Sequence, residues 1–174
     1  MSVSSSKMTV AMKNSPRRAK PATHPNILPF ETTLMVRDCC LCLHVQRAAR
    51  SLARRFDDAL RPFDLTNGQF SLLMSLNRPE PPSMAPVAAL LAMDRTTLTA
   101  ALKPLERRGL VKVTSHPQDR RSRILALTAK GRKLLAQAMP VWQSTHEEIE
   151  QLLQTANPGI SNPEDLRRNL RALS

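Results

Sequence analysis

DRTTLTAALKPLERRGLVKVTSHPQDRRSRILALTAKGR, residues 94–132, is the stretch whose order of signals decides the fold. Asp94 is a helix-capping residue type, because its short carboxylate accepts from the backbone N–H groups that open a helix. The helix it opens repeats Leu98, Ala101, Leu102 and Leu105 at intervals of three and four, the period of a helix with one buried side. Gly109 stops it, since glycine takes the left-handed conformation that closes a helix at little cost. An alternating strand is expected from Leu110 and a second from Ser122 to Leu127, with SHPQDRR between them. A helix followed by a charged hairpin is the winged form of helix-turn-helix.

The charge follows this device. The chain of 174 residues has 26 Lys and Arg against 14 Asp and Glu, a net charge of +12. Residues 94–133 hold eleven Lys and Arg against three acids, and residues 1–30 hold five against none. The remainder is nearly balanced. A positive field confined to the helix-hairpin stretch and one tail marks the places where a polyanion would be gripped. A merely solubilising basic face is the bland alternative, and it does not account for charge that tracks a motif.

Several classes are disfavoured. Residues 1–30 are rich in Ser, Lys, Arg and Pro and cannot bury enough apolar surface to offset ordering entropy, so they are expected to be a disordered basic tail. The remaining 31–174 has the size of a single domain. Neither the apolar core of a secretory signal nor an apolar run long enough to span a bilayer is present, and Cys39, Cys40 and Cys42 crowd too closely for a disulfide framework. A cytoplasmic protein with no membrane association is expected. Four glycines leave little for a phosphate-cradling loop, there is no HExxH, and His24, His44, His116 and His146 have no catalytic or metal spacing. No enzyme, cofactor or metal is therefore expected. Stacking platforms for RNA are disfavoured by four Phe, one Trp and no Tyr.

The rest of the chain reads as helices. From Asp38 to Leu60 the positions Leu41, Val45, Ala48, Ala49, Leu52, Ala53, Phe56, Ala59 and Leu60 keep a helical period, with Pro62 closing the run. Thr66 caps a helix to Leu76 with Phe70, Leu73, Met74 and Leu76 inward, and Ser83 caps a short supporting helix to Leu91. Thr128 caps a long helix to about Thr155 whose stripe is Leu135, Ala138, Trp142, Thr145, Ile149, Leu152 and Leu153, bent but not ended by Pro140. Asn162 and Pro163 start a last helix. Long terminal helices with leftover apolar stripes have little core to cover in one small domain, so pairing with a second copy is the economical solution.

The strings LTNGQFSLL, MDRTTLTAALKPLERRGLV and HPQDRRSRILALTAKGR, in this order of helices and hairpin, resemble the MarR family of winged helix-turn-helix regulators over roughly residues 38–155. The resemblance implies a mainly α fold with a small β-hairpin wing. It implies a DNA-binding lobe over 62–133, dimerisation helices over 38–61 and 134–174, and a homodimer on an inverted-repeat operator in double-stranded DNA. It also implies a repressor released by a small molecule or an oxidant. Three departures stand out: no tyrosine, a long N-terminal extension, and Pro104, which is expected to interrupt the recognition helix.

Roles follow residue by residue. Arg95, Thr96, Thr99, Ala100 and Lys103 are expected in the major groove, where Arg pairs with guanine and small methyl groups touch thymine. For Thr97 a backbone-bonding hydroxyl is as good a reading as a DNA contact. In the wing, Arg121 is expected in the minor groove with Arg120 and Arg123 on flanking phosphates, while Asp119 orients a neighbouring Arg. Cys42, His44, Arg47 and Trp142 are candidates for an effector crevice. An aromatic or carboxylate-bearing effector is favoured. The alternatives are a thiol-based repressor using Cys42 and a constitutive architectural DNA-binding protein. Cys42 precedes Leu65 of LTNGQ by 23 residues, which resembles the reactive-Cys position of the organic-hydroperoxide branch, but Gln46 and Phe56 stand where that branch's tyrosines are sought. Buried apolar thiols and chelation by Cys39, Cys42 and His44 remain open as further readings of the cluster.

Overall fold

A computed structural model describes residues 27–116, 122–156 and 162–173. Among them are seven α-helices and one two-stranded sheet: α1 (Phe30–Cys39), α2 (Leu41–Leu60), α3 (Asn67–Ser75), α4 (Met84–Leu90), α5 (Arg95–Arg107), β1 (Val111–Ser115), β2 (Arg123–Leu127), α6 (Ala129–Ala156) and α7 (Pro163–Arg171). The fold is mainly α with a β-hairpin wing. Residues up to Leu41 form one unit and Cys42 onward a second. The expectation of disorder over 1–30 falls, but for its last four residues, outside the described residues.

The single helix expected from Asp38 is interrupted. Cys40 adopts an extended conformation, φ −73° and ψ 101°, with its N–H still bonded to the Val36 carbonyl. α1 therefore ends at Cys39, and α2 starts afresh at Leu41.

In the second unit the local signals act as capping chemistry demands. Thr66 and Gln69 form a reciprocal capping box on α3. Asp57 of α2 adds a further cap, accepting the Asn67 N–H at 2.6 Å. The Arg61–Phe63 stretch continues α2 as a 3₁₀ turn that ends on Asp64 in the left-handed conformation. Ser83 occupies the cap position of α4 without a side-chain cap bond. Its backbone is instead drawn into a bridge with Ile124, and the Leu125 N–H bonds the Pro82 carbonyl at 2.9 Å, so the segment before α4 lies along the hairpin.

α5 runs through Pro104 to Arg107 rather than stopping at the proline. Pro104 lacks an N–H, so the Ala100 carbonyl forfeits one helical donor. Leu98, Leu102 and Leu105, all buried on either side of it, hold the helix in place, each contributing on the order of 2 kcal/mol by burial. Gly109, at φ 68°, closes the helix as expected: its N–H bonds Glu106 O and the Leu110 N–H bonds Leu105 O, the paired arrangement of a Schellman cap. β1 and β2 pair antiparallel with Val111 opposite Leu127 and Ser115 opposite Arg123. The backbone of His116 adds a rung to Ser122.

The core is formed by Leu60, Leu65, Phe70, Leu72, Leu73, Val87, the three leucines of α5, Leu110, Leu125 and Leu135 with their neighbours. Two expectations are corrected here. Met74 is 37 % exposed, because α3 turns Leu72 and Leu73 inward in its place. On α2 only Phe56 and Leu60 are buried; Leu41, Val45 and Leu52 stay exposed. The stripe expected of that helix thus finds no partner within the unit over its N-terminal half. α6 extends through Pro140 to Ala156 and buries Leu135, Ala138 and Ile149 but leaves Leu152 half exposed. No helix among the described residues is long and apolar enough to cross a membrane.

Candidate nucleic-acid interface

The positions chosen on α5 share its outward side. Arg95, Thr96, Thr99, Ala100 and Lys103 are all exposed, while Leu98, Leu102 and Leu105 are at most 3 % exposed. The helix is aimed by its cap. The Thr97 N–H donates to Asp94 Oδ1 at 2.7 Å and the Thr97 hydroxyl to Asp94 Oδ2 at 2.8 Å. Those two bonds hold the Asp94 carboxyl below its ordinary range. Thr97 is therefore engaged with the cap, the backbone-directed reading of this residue. The Thr99 hydroxyl donates back to Arg95 O at 2.7 Å, which leaves its methyl group as the part offered outward.

Arg95, Thr99 and Lys103, each four residues apart, line one recess of about 350 Å³ together with Arg123 of β2 and Glu106. Arg95 and Arg123 also meet in a second recess, about 280 Å³, beside Ser83, Met84 and Ala85. One arginine from the helix and one from the hairpin thus converge next to the start of α4. The participation of Met84 and Ala85 was not anticipated, because nothing local in the sequence says that the 82–85 segment lies along β2. Arg120, Arg121 and Asp119, expected at the hairpin tip, lie outside the described residues.

The effector candidates are placed apart. Trp142 is the centre of a stack of rings: Phe56 at 6.0 Å, Phe70 at 5.9 Å and His146 at 4.8 Å, all within 20° of parallel. With Phe70, Met74, Leu90, Met139 and the hydroxyl-bearing Ser71 and Ser75 it lines an apolar pocket of about 310 Å³. Cys42, His44 and Arg47 sit on the exposed N-terminal part of α2. They precede Phe56 by nine residues or more, roughly 14 Å along a helix axis. Within this chain they do not line that pocket. Within the single chain Cys39 and Cys42 are exposed and Cys40 is half-buried. Among the described residues no group of three or more His, Cys, Asp or Glu is placed to hold a metal ion.

A polar network flanks the ring stack. His146 Nε2 lies 3.1 Å from Glu150 Oε1, and Arg167 of α7 reaches the same oxygen. Arg167 depresses the Glu150 carboxyl, and Arg171 with Arg167 holds Glu164 at about 2.

The family model of the MarR family matches residues 65–122, the span from α3 to the hairpin. Among curated proteins, the transcriptional regulator HosA of Escherichia coli O111:H- is 38 % identical over 88 residues, covering 49 % of this chain and 64 % of that protein. The chain's match thus spans just under two thirds of the length of that relative. Among solved structures, the M. tuberculosis transcriptional regulator MosR in complex with DNA is 36 % identical with a TM-score of 0.64, over 77 % of this chain and 92 % of that one. The transcriptional repressor CouR bound to a 23-mer DNA duplex is 34 % identical with a TM-score of 0.66, over 76 % and 91 %.

Proposed function

The chain belongs to the MarR family, and from that premise we propose that it is a sequence-specific, double-stranded-DNA-binding transcriptional regulator. It acts as a homodimer, most economically as a repressor released by a small molecule, and carries out no catalysis. The observation that supports this best is the recess in which Arg95, Thr99 and Lys103 of α5 meet Arg123 of the hairpin. A helix in the major groove with a cationic hairpin beside it reads bases with the first and grips backbone or minor groove with the second. In the sequence Arg120 and Arg121 add two further cations between β1 and β2. The exposed stripe of α2 and Leu152 of α6 offer apolar surface to a second copy, and a symmetric pair reading an inverted repeat calls for recognition helices about 34 Å apart.

For the effector, the pocket beside Trp142 favours an apolar, ring-bearing molecule, since aromatic and thioether groups dominate its lining and two serine hydroxyls supply the polar contacts. A carboxylate on that molecule would need Arg47 or another cation from outside the pocket. A footprint of the purified protein on its own promoter region, with and without a panel of aromatic acids and neutral aromatics, tests the reading. Equal affinity for random and promoter duplexes at physiological salt refutes it.

One observation favours a second reading, a thiol-based repressor. Gln46 Nε2 donates to Cys42 Sγ at 3.2 Å, and Arg50 donates to Gln46 Oε1 at 3.2 Å. The exposed sulfur with its amide donor is the atom that an oxidant would reach in this reading. Peroxide-induced release from the operator that disappears in Cys42→Ser would establish it.

A further inference from the structure

Arg108 belongs to the basic stretch by sequence, yet the structure commits its side chain elsewhere. Its guanidinium donates through Nη1 to Asp64 O and through Nη2 to Phe63 O, and Nη2 lies 3.4 Å from Asp64 Oδ2. The side chain is 29 % exposed against 92 % for Asp64. The two carbonyls end the 3₁₀ turn that continues α2. Terminal carbonyls have no helical donor, and a cation at a helix C-terminus satisfies them and the dipole together. The backbone of the same residue is fixed from two further directions: its N–H closes the last turn of α5 on Pro104 O, and its carbonyl accepts from Lys130 Nζ of α6 at 2.9 Å. α2, α5 and α6 therefore meet at one residue.

We infer that Arg108 is a positioning residue: it fixes the DNA-facing helix to the turn that ends α2, and makes no contact with DNA itself. The inference rests on the DNA-binding reading above. Its mechanical content is that α2, whose Phe56 packs on Trp142, cannot shift at its C-terminal end without moving the end of α5. Two discrete arrangements of that joint would couple the ring-lined pocket to the recognition surface. The chemistry calls for arginine, since a planar fork can serve two adjacent acceptors at once, whereas an ammonium is a point donor.

Salt dependence separates positioning from phosphate contact. Each neutralised phosphate adds about one to the magnitude of the slope of log affinity against log salt. Lys103→Gln serves as the comparison on the DNA-facing side of α5. Operator affinity of Arg108→Gln and Arg108→Lys is measured across a salt series by fluorescence anisotropy, with a thermal melt of each variant. The expected result is a loss on the order of tenfold for both Arg108 variants with the wild-type slope retained, and a shallower slope for Lys103→Gln. Wild-type affinity in Arg108→Lys, with a shallower slope in Arg108→Gln, would show a phosphate contact and overturn the inference. So would unchanged affinity in both. Should Arg108→Gln fail to fold, Arg108→Lys carries the test alone, because it keeps the charge and loses the fork. If wild type itself shows no preference for the operator, the DNA-binding reading fails, and this inference fails with it; the two failures are told apart by the wild-type curve.

Discussion

Replacing Gly131 by alanine tests how closely α6 approaches the hairpin. A Cβ built at this position would stand 2.1 Å from Leu110 O, 3.1 Å from Leu110 C and 3.3 Å from Leu127 Cδ2. Because ordinary contacts begin near 3.4 Å, the backbone at Leu110 and the first turn of α6 must separate by more than 1 Å. The carbonyl is not free to swing away, since it accepts from the Thr128 N–H at 3.1 Å and the Thr128 hydroxyl at 3.3 Å. Alanine gains about 1 kcal/mol of helix propensity over glycine. Against this stand about 1–3 kcal/mol for overpacking and about 1 kcal/mol for each hydrogen bond stretched or lost. The net is a destabilisation of about 2–4 kcal/mol, or roughly 4–16 °C in melting temperature for a chain of this size. Thermal unfolding followed by circular dichroism measures it. Because Leu110 leads directly into β1, operator affinity should fall as well. A variant that melts at or above the wild-type temperature would show that the contact relaxes freely and that the reasoning is wrong.

Three further outcomes are expected. Ala92 holds φ 50° at the end of α4, where glycine is unstrained, so Ala92→Gly should raise stability by about 0.5–1 kcal/mol, read from urea unfolding; a loss would contradict the strain. Arg95→Ala and Lys103→Ala should each weaken operator binding by about 1–3 kcal/mol with melting temperatures unchanged, read in binding titrations against matched and scrambled duplexes. Glu164 is held at about 2 by Arg171 and Arg167 against an ordinary 4.5. A depressed carboxyl stabilises the folded state above its ordinary pKa, and that stability is lost as pH falls from about 4.5 through 2. An acid titration of the melting temperature should therefore be flatter in this window for Glu164→Gln, and the difference should shrink in high salt because the pair is solvent-exposed.

What could be read from residues alone was whatever is closed within a few positions of chain. Asp94 and Thr66 as caps and Gly109 as the stop of α5 were legible, and the structure finds their partners three to five residues away. The exposed side of α5 followed from the same period. Arg108 and Gly131 were not legible. Their reasons lie 44 residues away at Asp64 and 21 residues away at Leu110, and a glycine in a helix or an arginine in a basic run has a bland local explanation. Ser83 shows tertiary structure overriding a local signal, since pairing with Ile124 replaces the cap its residue type suggested. The gap at Cys40 was missed for the opposite reason: apolar periodicity runs straight through a break made by one backbone dihedral. Cys42, His44 and Arg47 share a helix with Phe56, and their grouping with Trp142 ignored the length of α2.

Trp142 is the only tryptophan of the chain, and the chain has no tyrosine. Near-ultraviolet absorption and emission therefore come almost wholly from one indole, seated where α2, α3 and α6 meet through Phe56, Phe70 and His146. The molecule carries its own optical probe at the wall of its apolar pocket. A compound entering there changes the surroundings of every emitting ring, whereas an event confined to the exposed half of α2 or to the hairpin leaves the spectrum almost untouched. Unlabelled wild-type protein in a fluorimeter can thus report which of its surfaces a given molecule has found.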